Sequence, residues 1–103
     1  MKITGKTKHE NIVVSEIFSF YDSLGLPLED IILILKERNI VIDWISLYED
    51  AISNGWLIPT FFEKITPILE DLFDKEYKNV VISSLIYYVR MKQKEEDNGK
   101  RKS

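Results

Sequence analysis

Apolar residues recur at helical spacing along most of this chain, and glycine, proline and asparagine divide the pattern into short segments. Val13, Ile17, Tyr21 and Leu24, flanked by Phe20, make one stripe of a first helix expected from Asn11. Gly25 stands where a left-handed residue ends such a helix. Pro27 suits the first turn of a second helix, and Glu29 and Asp30 favour the positive end of its dipole. That helix is expected to run to about Arg38 through the run Ile31-Ile32-Leu33-Ile34-Leu35. Five consecutive apolar positions fit either a buried central helix or a helix with surface left over for a partner.

Asn39-Ile40-Val41-Ile42 reads as a connector or a short extended piece, and Asp43 as the N-cap of a third helix. Trp44, Leu47, Tyr48 and Ala51 give that helix its stripe, and Asn54-Gly55 ends it. Thr60-Phe61-Phe62-Glu63 has the form of a capping box, which predicts a fourth helix from Phe61. Pro67 either kinks this helix or opens a new one capped by Thr66. A last helix is expected from about Glu76 to Lys94, with Val81, Leu85, Tyr88 and Ile82, Ile86, Val89 as adjoining apolar rows. The expected architecture is all-α, a compact irregular or orthogonal bundle of five or six short helices.

Charge divides the same chain differently. Residues 10–80 hold fourteen Asp/Glu against five Lys/Arg, although the whole chain carries only −3. Lys2, Lys6 and Lys8 precede this acidic stretch, and Arg90, Lys92, Lys94, Lys100, Arg101 and Lys102 follow it. The expected organisation is a mobile basic arm at 1–9, one helical domain at 10–94, and a disordered charged tail at 95–103. Three Glu-Asp pairs, at 29–30, 49–50 and 70–71, are read as dipole-favoured acids of helix first turns and solvated faces.

The residues give no chemistry to an enzyme. The chain has no cysteine, and its single histidine is His9 in the arm, with no second histidine to share a metal. No Glu-x-x-His occurs, so a di-metal carboxylate centre lacks its ligands. The four glycines are scattered, and no serine lies in Gly-x-Ser-x-Gly. No catalytic, cofactor-binding or metal-binding residue is therefore assigned. The longest apolar run falls far short of the about 20 residues that span a membrane, and no apolar core follows the basic N-terminus as in a signal peptide. A cytoplasmic protein is expected.

What remains is binding. Trp44, Tyr48, Trp56, Phe61 and Phe62 are the aromatic candidates for a protein interface, where large rings act as anchors. Tyr87, Arg90, Lys92, Lys94, Lys100, Arg101 and Lys102 are the candidates for nucleic acid, by stacking and phosphate attraction. The competing reading of that group packs Tyr88 in the core and leaves the cations to complement the helix's negative end. The second and third helices have the spacing of a helix-turn-helix. The third, Asp43-Trp44-Ile45-Ser46-Leu47-Tyr48-Glu49-Asp50, holds no cation and three acids, which opposes docking in a major groove.

The favoured expectation is a small non-enzymatic intracellular adaptor or regulatory protein that binds another protein, in the style of an accessory factor of a bacterium, phage or mobile element. A homodimer is a further expected assembly. The alternatives are a nucleic-acid-binding regulator using its basic termini and an immunity or inhibitor protein with an acidic face.

Overall fold

The computed structural model describes residues 2–7 and 11–102, with side chains up to residue 95. Among the described residues the chain is not purely α-helical: a three-stranded sheet accompanies five helices. Strand β1 (Lys2–Lys6) pairs antiparallel with β2 (Ile12–Ser15), and β2 pairs parallel with β3 (Val41–Ile42). Between β2 and β3 lie α1 (Phe18–Leu24) and α2 (Leu28–Glu37), the long crossover that a parallel pair requires. Helices α3 (Trp44–Ser53), α4 (Ile58–Leu72) and α5 (Lys75–Lys102) complete the fold.

The first helix thus starts at Phe18 rather than near Asn11. Ile12-Val13-Val14 is β-branched throughout, which stiffens χ1 and favours a pleated strand over a helix. Glu16 then takes φ of 62°, a left-handed conformation that turns the chain out of the strand and into α1. Ile17 and Phe18 are buried on the far side of that turn. The helical spacing of Val13 and Ile17 was therefore shared between two elements.

Residues 2–6, expected as an unstructured arm, form the sheet's outer strand because β2 offers an open edge of backbone groups. The register shifts between Ile3 and Gly5, so Thr4 is an extra residue, and its hydroxyl donates to the Val13 carbonyl at 3.4 Å. Lys2 and Lys6 place charge on this edge, which discourages further strand pairing. His9 lies outside the described residues.

Other boundaries follow sequence signals closely. Gly25 ends α1 at φ 68°. The carboxylate of Asp43 accepts from the Ser46 N–H at 3.1 Å, capping α3, and Asp74 caps α5 through the Tyr77 N–H at 2.7 Å. α4 starts at Ile58, three residues before the capping-box position, because Pro59 is already tolerated in a first turn. It then runs through Pro67 as one helix. Thr66 does not cap a new start: its hydroxyl donates back to the Phe62 carbonyl at 2.7 Å. α5 continues past Lys94 to Lys102. Lys, Gln, Glu and Arg are good helix formers, and no proline interrupts this stretch.

The core is one cluster drawn from every element except β1. α3 packs against β2, α1, α4 and α5, which makes it the hub. α2 buries Leu28, Ile31, Ile32 and Leu35, while Ile34 is 46% exposed. It contacts α1 and β3 and is neither central nor two-sided. α5 buries only Val81, Leu85 and Val89, and no described side chain beyond Val89 is buried. At 1.5 Å per residue its last thirteen residues extend for roughly 20 Å along a molecule 48 Å long.

Candidate functional site

Most of the large rings are committed to the interior. Trp44, Tyr48 and Phe61 are buried, so these three interface candidates present no free face to a partner. Trp44 donates its indole N–H to the Tyr77 hydroxyl at 2.9 Å and packs edge-on against Phe73. Tyr48 meets the edges of Phe61 and Tyr88, and Phe61 meets Phe62. Trp56 and Phe62 are half-buried. Trp56 closes a triangle with Phe18 and Tyr21, and Lys64 lies 5.7 Å from the centre of its ring.

Two parts of the exposed surface stand out, and one hydrogen bond joins them. The first is acidic. Glu16, Asp22 and Asp50 line a shallow cavity of about 300 Å³ with Phe18, Ser19 and Asn54, between α1 and the C-terminal half of α3. Burial first, and then the charges of Glu16, Glu49 and Asp43, raise the Asp50 pKa above its ordinary value. Among the described residues no cation pairs with these acids: the one ion pair there is Lys78–Glu70, at 2.6 Å on another part of the surface.

Their placement also departs from the dipole reading. Only Glu29-Asp30 occupies a helix first turn. Glu49-Asp50 falls in the C-terminal half of α3 and Glu70-Asp71 in the last turn of α4, where the helix's negative end disfavours acids.

The second part is a groove between α3 and α5 of about 640 Å³, whose lining includes Ile45, Ser84, Tyr87, Tyr88, Met91 and Lys92. Tyr87 is 67% exposed and Met91 44%. Tyr88 sits at the boundary, where its hydroxyl donates to a carboxylate oxygen of Glu49 and Lys92 lies 5.7 Å from its ring centre. Of the nucleic-acid candidates, Tyr87, Arg90, Lys92 and Lys94 are all exposed on α5. The side chains of Lys100, Arg101 and Lys102 lie outside those described. Sequence reading did not find this groove, because Ile45 belongs to a helix whose apolar stripe points elsewhere.

The Tyr88–Glu49 bond has a measurable signature. Donation to the Glu49 carboxylate, aided by burial and by the Glu49 charge, pushes the Tyr88 hydroxyl from 10.0 up to about 12. The unfolded chain releases this proton near the ordinary value while the folded chain still holds it. The bond's stabilisation is therefore complete below the ordinary value and is lost as pH rises toward about 12. Ultraviolet titration of the folded protein should show Tyr88 titrating late, and Glu49→Gln should return it toward the ordinary range. An unchanged late titration in Glu49→Gln would remove the bond from this account.

Among the described residues no three His, Asp or Glu side chains stand together as a metal-binding group, and no helix is long and apolar enough to cross a membrane. Comparison with known protein families, curated proteins and solved structures finds no match to this chain.

Proposed function

We propose that this protein is a small non-enzymatic adaptor or regulator that works by binding another protein, and that its recognition surface is the acidic face of α1 and α3. The observation that carries this reading is the position of Glu49 and Asp50. They lie toward the unfavourable end of a helix, beside Glu16 and Asp43, with no ion pair among the described residues to offset the repulsion. Like charges held together at a cost to the fold have a use when a complementary surface arrives. A partner with a basic patch would be steered toward this face, and its cations would relieve Asp50. An inhibitor of a basic enzyme would use the same face in the same way.

The test is capture from native lysate after nuclease treatment, using the wild-type chain, Glu49→Lys/Asp50→Lys, and Glu63→Lys as an exposed control on α4. The wild type and the control should retain one protein partner, and the double reversal should lose it. With the purified partner, association should slow as salt rises, typically by tenfold or more across the physiological range. A partner that survives the reversal removes the acidic face from the mechanism. A complex that disappears with nuclease transfers the function to nucleic acid and the cations of α5.

A further inference from the structure

A different surface carries its own assignment. Val80, Ser84, Tyr87, Met91 and Lys94 follow one another along α5 at alternating spacings of four and three, the repeat that keeps one face of a helix against another helix. All five are exposed, Val80 at 60% and Tyr87 at 67%, and the stripe lies beside the face that α5 turns toward α3 and α4. The helix also continues thirteen residues beyond Val89, the last buried side chain among those described, and includes Gly99. On its own a helical stretch of that length is marginal in water, and glycine weakens it further. Both features call for something to lie along α5.

From the stripe and the charges on either side of it, we infer that the occupant is a second copy of this chain, with the two α5 helices packed antiparallel about a two-fold axis between Ser84 and Tyr87. In that register Tyr87 faces the small Ser84 of the other copy and Met91 faces its Val80, so each large side chain meets a small or medium one. The same register sets Arg90, Lys92 and Lys94 toward the start of the other α5 and the end of its α4. Glu70, Asp71, Asp74 and Glu76 gather at that corner, against Lys75 and a Lys78 already paired with Glu70. A parallel pair would instead lay the cationic segment of one helix beside that of the other. The antiparallel arrangement also gives the C-terminal part of α5 a body to lie on, and it explains acids at the unfavourable end of α4. A two-fold contact makes each of these pairings twice. The acidic face of α1 and α3 stays open in the dimer, so this assembly stands or falls separately from the adaptor reading.

The absence of native cysteine makes cross-linking direct. Sedimentation of the full chain at tens of micromolar should give a dimer. Tyr87→Asp should weaken association by about 100-fold or more, because a two-fold interface loses the ring twice, with helix content by circular dichroism unchanged. Val80→Cys mixed with Met91→Cys should couple through a short bismaleimide, while either variant alone should not. Lys94→Glu should weaken the dimer, and Glu76→Lys in the same chain should restore it. A monomeric wild type, association that vanishes with nuclease, or coupling of Val80→Cys with itself would each overturn the assignment.

Discussion

Phe61→Ala should destabilise the domain by about 3–5 kcal/mol, the range for removing a fully buried aromatic side chain. Phe61 is 1% exposed, and its ring meets the edge of Tyr48 on α3 and of Phe62 on its own helix. The change therefore loses the transfer energy of the ring, leaves a cavity, and strips Tyr48 of an aromatic neighbour at the hub of the fold. Domains of this size are held by about 5–15 kcal/mol, so such a loss leaves a substantial unfolded population. Urea unfolding followed by tryptophan fluorescence should show the midpoint falling sharply at unchanged slope. Phe62→Ala, at a half-buried position, should cost clearly less. Equal midpoints for the two variants would mean that the ring at 61 is not the centre of this core.

Helix existence was legible in the sequence because caps and breakers act locally. Asp43, Gly25 and Asn54-Gly55 mark ends that need only their own neighbours to form. Of the sheet only the extended character of residues 41–42 was legible, because β1 and β3 are strands only by virtue of β2. Val41–Ile42 alone is two residues long, and Lys2–Lys6 is exposed throughout, so neither carries an apolar pattern of its own. Burial of the rings was not legible for a related reason. A ring such as Trp44 or Phe61 gives the same signal whether it anchors a partner or a core, and only the packing of α3 against four other elements decides it. The acidic pairs show the limit from the other side. The sequence reads them as acids of helix first turns and solvated faces, yet two of the three pairs sit toward helix ends, and the acidic surface rests on the meeting of α1 with α3.

Leu85→Ala should cost about 2–5 kcal/mol, but through a local release of α5 rather than uniform loss of the fold. Leu85 is fully buried and stands between Val81 and Val89, the other two side chains that bury α5. α5 makes its main contacts with α3 and α4, so the sheet, α1 and α2 keep most of their own contacts when it lifts away. The release breaks the Tyr88–Glu49 hydrogen bond, which gives it a specific readout: Tyr88 should titrate back toward 10.0 instead of about 12. Amide hydrogen exchange should quicken in α5 well before it quickens in α2. Ile86→Ala, at a side chain 39% exposed on the same helix, should change stability by no more than about 0.5 kcal/mol and leave the late tyrosine in place. If exchange quickens equally in α2 and α5 of Leu85→Ala, α5 is not a separable layer. The groove between α3 and α5 would then be as rigid as the core beneath it.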